Sequence, residues 1–189
     1  MWNIPHSDVI STSGTRSTYS AAQLCLAKYY SDALYMKCHT GMEITIGEVR
    51  FRVLMTQEDN ITKFVSGEYS DFNNTSTVCM TYFGGTSMFL PGDIKSGSLD
   101  SFVSRVYKRD TFCSPVIQVA HHGYNSMPNW YSLTLNSTEY AFYENSRAEG
   151  LSSGSGPDIY AKLGESRCFF TDKTWAMTVK DGQIVIKAE

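Results

Sequence analysis

Short apolar stretches separated by turn-forming residues dominate this chain, and they predict strands more often than helices. Leu34 to Lys37, Met42 to Ile46, Val49 to Met55, Ser76 to Phe83 and Thr86 to Leu90 are rich in β-branched, aromatic or long apolar side chains. Gly47-Glu48 and Gly84-Gly85 fall between consecutive runs, and each predicts a hairpin; the glycine pair supplies the positive φ that tight antiparallel turns need. Gln57 to Asn74 turns polar and is expected to be a loop or a mobile excursion rather than core. Helical spacing predicts a helix from Tyr19 to Ser31, capped by Thr18 after an extended lead-in over residues 1–18. A second helix is expected from Ser98 to Lys108, where Leu99, Phe102, Val103, Val106 and Tyr107 form one apolar stripe that must pack on a sheet.

Pro115 to Ala120 is a short apolar run that stops abruptly at His121-His122-Gly123, as a buried strand does when it emerges into a loop. Beyond it the pattern predicts a strand over Tyr140 to Tyr143, a Gly/Ser-rich loop from Gly150 to Gly156 and a short helix from Pro157 to Leu163. Strands follow at Cys168 to Thr171, Trp175 to Val179 and Gln183 to Lys187, the last two joined through Asp181-Gly182. Strands alternating with helices, with hairpins among them, predict a layered α/β or α+β sandwich with a mixed sheet, organised as a single domain over residues 1–189.

Composition narrows the function classes. A net charge of -3 leaves Lys and Arg in deficit, which argues against strong nucleic-acid binding, since phosphate-backbone affinity rests on those cations. No apolar run approaches the roughly 18 to 20 residues of a membrane span, and the first residues lack the pattern of a signal peptide, so the expectation is a cytoplasmic protein without a membrane partner. The 5 cysteines are odd in number and never form a C-x-x-C pair, so they are expected to be reduced thiols.

Hydrolytic metal chemistry requires neutral imidazoles and ionised carboxylates on rigid elements, with a coordination position left for water. Asp93 follows a strand through Pro91-Gly92, and His121 and His122 leave another strand end after one intervening helix, so a strand–helix–strand passage can bring them together. Each also has a plain structural alternative. Asp93 can cap a helix or hold a turn, the histidines can bond to backbone, and Asn73 and Asn74 can form an Asx turn. No partner pattern is apparent for His39.

Three strings are specific in combination: Asp71-Phe72-Asn73-Asn74-Thr75-Ser76, Met88-Phe89-Leu90-Pro91-Gly92-Asp93 and Val116-Ile117-Gln118-Val119-Ala120-His121-His122-Gly123. In order, spacing and flanking hydrophobicity they resemble the second half of metallo-β-lactamase-fold hydrolases of the competence, or DNA-uptake-channel, type. The resemblance implies Asp93 and His121 as catalytic metal ligands, with His122 as the alternative to His121, and Asn73 and Asn74 as groups that orient the site. It implies a divalent metal, zinc or else manganese, and a small ester or phosphoester substrate. Members of that family carry an upstream H-x-H-x-D-H motif that supplies most of the ligands, and this chain has no such string; His6-Ser7-Asp8 has only one histidine, and Ile4 stands where a second would be needed.

The expected function is therefore the C-terminal part of a metal-dependent hydrolase, incomplete and weakly active or inactive alone, with an N-terminal half or a second copy as its partner. The alternative is a non-catalytic binding module derived from the same fold.

Overall fold

The computed structural model describes residues 13–30, 38–66, 71–95, 106–124 and 134–189. The chain divides into two compact units, Met1–His39 and Thr40–Glu189. In the first, helix α1 spans Ser13–Tyr29, so it begins well before the expected Thr18 cap. Its early Ser and Thr residues are only mildly unfavourable to helix, and Gly14 falls in the first turn, where it interrupts little. The strand expected at residues 34–37 lies outside the described residues, as does most of the helix expected at 98–108.

The second unit is a mixed α/β body built on seven strands that lie side by side in chain order. The first four, β1 (Glu43–Ile46), β2 (Val49–Met55), β3 (Val78–Phe83) and β4 (Thr86–Leu90), form an antiparallel meander. From β4 onward the sheet turns parallel through β5 (Val116–Gln118), β6 (Tyr140–Tyr143) and β7 (Cys168–Phe170). Residues 168–170 and 116–118 are buried throughout, as expected of parallel strands covered on both faces. A separate hairpin, β8 (Trp175–Lys180) with β9 (Gln183–Ala188), sets its Asp181-Gly182 turn against the β3–β4 turn, with Gly182 N–H donating to Gly84 O over 3.0 Å.

The core joins Leu54, Met80, Phe89, Ile117, Tyr143 and Phe170 across the strands, and Phe112 packs edge-on against Phe89 with ring centroids 5.7 Å apart. Tyr107, near the end of the apolar stripe read from the sequence, donates its hydroxyl to Leu54 O over 2.8 Å.

One expectation is corrected outright. The polar stretch from Gln57 to Asn74 is not a loop: it contains helix α2 (Gln57–Val65) and a 3-10 turn over Phe72–Thr75. Asp59 Oδ2 accepts the Thr56 N–H over 2.8 Å, three residues apart, the reciprocal half of a capping box. Ile61, Phe64 and Val65 carry the helical spacing through otherwise polar sequence. Buried Asn60 then donates to Asn74 O over 3.0 Å and ties α2 to the 3-10 turn.

Between β6 and β7 lie the short helix α3 (Arg147–Gly150) and helix α4 (Gly156–Leu163), so the glycine/serine stretch expected as a loop is itself bracketed by helical turns.

Candidate functional site

Parallel pairing places the carboxyl ends of β4, β5 and β6 on one edge of the sheet, and antiparallel pairing of Cys79 with Leu90 brings the start of β3 to the same edge. In open α/β sheets this edge is where ligands bind. The Asn73 turn, the Gly92-Asp93 turn, the His121-His122-Gly123 turn and Glu144 all lie there. The three strings picked out in the sequence, far apart along the chain, thus converge.

Gln118 does much of the joining. It is a buried polar residue in an apolar strand, where its amide must be satisfied within the protein. Its Nε2 donates to Glu144 Oε2 over 2.8 Å, and its Oε1 accepts a long bond from Gly92 N–H at 3.4 Å. His121 N–H donates to Gly92 O over 3.0 Å, so the two strand-end turns are also fastened backbone to backbone.

The turn that carries the histidines is unusual in its backbone. His121 (φ 47°), His122 (φ 58°) and Gly123 (φ 96°) are three consecutive residues in the left-handed region. For the two histidines this costs about 1–2 kcal/mol each, offset by the hydrogen bonds the turn makes. Such strain clusters at functional sites.

Beneath it, the glycines of the 150–156 segment approach so closely that a Cβ on Gly156 would lie 1.9 Å from Gly150 O, and one on Gly154 would lie 2.3 Å from Tyr124 O. Tyr143 donates its hydroxyl to Gly156 O over 2.8 Å. The segment is therefore the floor of the histidine turn, a role its composition alone did not reveal.

The left-handed geometry separates the two imidazoles. A carbonyl can only accept, so His122 Nδ1 donates to Glu144 O over 2.9 Å, and the second nitrogen, Nε2, lies 3.3 Å from Asp93 Oδ1. A histidine held by one nitrogen on a backbone carbonyl and presenting the other beside a carboxylate is arranged as metal-ligating histidines are. His121 points elsewhere. Asn73 Nδ2 donates to His121 Nε2 over 3.0 Å, which leaves the ring proton on Nδ1. The structure thus sets His122 rather than His121 against Asp93, and pairs Asn73 with His121. Asn74 is buried, with its carbonyl engaged by Asn60.

Asp71 opens the 3-10 turn by accepting the Asn73 N–H at 3.0 Å, and its other oxygen pairs with the Lys95 ammonium. Burial works against the Asp71 carboxylate, but the Lys95 and Asn73 hydrogen bonds and the charge of Lys95 outweigh it and hold its pKa below the ordinary value. The His121 imidazole is also held below its ordinary pKa. Burial is the main cause, reinforced by Lys95 and His122 and opposed by Asp93 and Asp71.

The His121 shift has a measurable consequence. In the unfolded chain His121 binds its proton near pH 6.5; in the folded chain it does so only at lower pH. As pH falls through that window the unfolded state takes up more protons, so stability is lost. We expect the urea midpoint to fall between pH 7.5 and pH 5.5, and to fall less in His121→Asn. An equal fall in the variant would contradict this assignment.

The donor set does not make a complete metal site. An open catalytic zinc site takes three protein ligands, whereas Asp93 and His122 are two, and the accepting nitrogen of His121 is engaged by Asn73. Among the described residues, no group of three or more His, Cys, Asp and Glu is arranged to hold a metal ion. Glu144, Gln118 and Lys95 were not singled out from sequence; Gln118 could have been, as the lone polar residue in an apolar strand. No family model, curated protein or solved structure matches this chain.

Proposed function

We propose that this chain is the C-terminal part of a metal-dependent hydrolase of the metallo-β-lactamase type, acting on an ester or phosphoester. In this reading it contributes Asp93 and His122 to a divalent-metal centre whose remaining ligands come from an N-terminal half or another chain. The observation that carries the reading is the orientation of His122: one ring nitrogen anchored on Glu144 O, the other facing Asp93, on a strained turn fixed to the Gly92-Asp93 turn. Zinc or manganese, when bound, would polarise the substrate and supply an activated water. The residues of this chain hold the two donors apart from bulk structure and keep them pointed at one place.

A complete site needs at least one more donor, so the chain alone is expected to show no metal-stimulated turnover. The test is hydrolysis of p-nitrophenyl acetate and bis-p-nitrophenyl phosphate with added zinc or manganese. Metal-stimulated turnover that disappears in Asp93→Asn would show that the site is complete without a partner, against this proposal.

The second reading, a non-catalytic module, draws on a different observation: each polar group at the strand ends already has a partner within the chain, Asp93 with His122, Asn73 with His121 and Asp71 with Lys95. Such a network can be kept for the turn geometry it specifies.

A further inference from the structure

The seven-stranded sheet ends on two strands of different character. β7 is buried throughout, whereas Glu43, Thr45 and Ile46 of β1 are exposed. Ile46, at 66%, is the most exposed large apolar side chain described in the Thr40–Glu189 unit. Val53 N–H donates to Met42 O over 2.9 Å, so the alternation of an antiparallel ladder turns Met42, Ile44 and Ile46 toward β2. Glu43 and Thr45 then direct their N–H and C=O groups outward, and among the described residues no strand pairs with that edge. Folded proteins guard such an edge with lysine, proline or a bulge. β1 has none of these, and its one charge, Glu43, is held by Arg50 at 3.3 Å and Arg52 at 3.7 Å.

We propose that β1 is a self-pairing edge: the β1 strands of two copies of this chain join antiparallel about a two-fold axis and make one continuous sheet. The side chains select the register. With Glu43 opposite Thr45 of the second copy, and Thr45 opposite its Glu43, the outward groups of all four residues are used and four backbone hydrogen bonds form. On one face Ile44 then meets Ile44, and exposed Ile46 meets Met42, which covers the apolar side chains with each other. On the other face each copy has two guanidinium groups for one carboxylate. Thr45 lies directly across from Arg50 within the chain, so Glu43 of the second copy falls in the same row as Arg50, with only the small Thr45 between them. Slipping the pairing by two residues leaves a single hydrogen-bonded pair, Thr45 with Thr45 or Glu43 with Glu43, and the latter also opposes like charges. One short strand per copy covers far less than the roughly 1,000 Å² of a stable interface, so the dimer is weak and depends on concentration.

Sedimentation velocity of the full chain over a concentration series should show a reversible monomer–dimer equilibrium. Thr45→Pro removes an N–H that β2 does not use, at an edge position where proline is tolerated, and is expected to raise the dimer dissociation constant about tenfold or more. Ile46→Lys, which places a guard on the same edge, should act in the same direction. The register is read by cross-linking in a background where the exposed Cys25 and Cys113 are replaced by serine. Ile44→Cys sits opposite itself in a non-hydrogen-bonded pair, with Cα atoms about 4.5 Å apart, and should give an intermolecular disulfide with copper phenanthroline as oxidant. Thr45→Cys, which faces Glu43 of the second copy, should cross-link far less.

A chain that stays monomeric up to about 1 mM would overturn the proposal. So would a dimer as tight in Thr45→Pro and Ile46→Lys as in the wild type, or cross-linking of Thr45→Cys as complete as that of Ile44→Cys. Should the proline variant fail to fold, Ile46→Lys and the cross-links decide the matter without it.

Discussion

Gly156→Ala should destabilise the fold by about 3 kcal/mol or more, in the range of severe backbone overpacking. The reason is space, not conformation. The added Cβ would lie 1.9 Å from Gly150 O and 3.4 Å from Gly123 Cα, and the nearer obstacle is a backbone carbonyl that cannot rotate away. For a chain of this size, such a loss corresponds to a drop in melting temperature of roughly 6–12 °C.

Gly47→Ala is the useful contrast. Gly47 has φ 59°, but nothing lies within 4 Å of the position its Cβ would take, so only the backbone preference opposes the change. Its cost should be about 1–2 kcal/mol. Thermal melts of the two variants side by side check the claim, and equal losses would contradict the floor role assigned to the 150–156 segment. Because that floor supports Gly123, the damage in Gly156→Ala should also spread to the histidine turn.

The second large effect is expected at the donors themselves. If the proposed half-site takes up a divalent metal, Asp93→Asn and His122→Asn should each lower its affinity by at least about 10–100-fold, the range lost when even an outer-shell partner is removed. Asparagine is the right replacement at His122 because it tolerates left-handed backbone better than alanine does, so the turn survives the change. His121→Asn should have the smaller effect, since its accepting nitrogen is engaged by Asn73 rather than facing Asp93. Calorimetric titration with manganese checks the order. A larger loss in His121→Asn than in His122→Asn would reverse the assignment.

Much of this was legible in the sequence because the local code was strong. The Gly84-Gly85 hairpin, the strand before His121 and the Gly92-Asp93 turn all show an apolar run ended by residues that only turns favour. The three strings also come together at one edge of the sheet. Helix α2 was hidden because its cap, Thr56 with Asp59, lies inside a polar stretch and its apolar residues are sparse.

Which of the two imidazoles faces Asp93 was not legible at all. Adjacent residues diverge there because two non-glycine residues take positive φ, and because Glu144 O, which follows β6, falls where it accepts from His122. Neither condition has a local sequence mark. The same holds for the glycine segment, whose composition suggests a loop but whose close packing makes it the floor of the histidine turn.

If Asp93 and His122 form a two-donor half of a metal site, the most direct test is a zinc titration of the full chain followed through the histidine side-chain nitrogen resonances. Weak, saturable binding is expected, in which the Nε2 resonance of His122 shifts and the shift is abolished in Asp93→Asn. A His122 resonance that does not move while the chain takes up zinc, or a shift that persists unchanged in Asp93→Asn, would contradict the half-site.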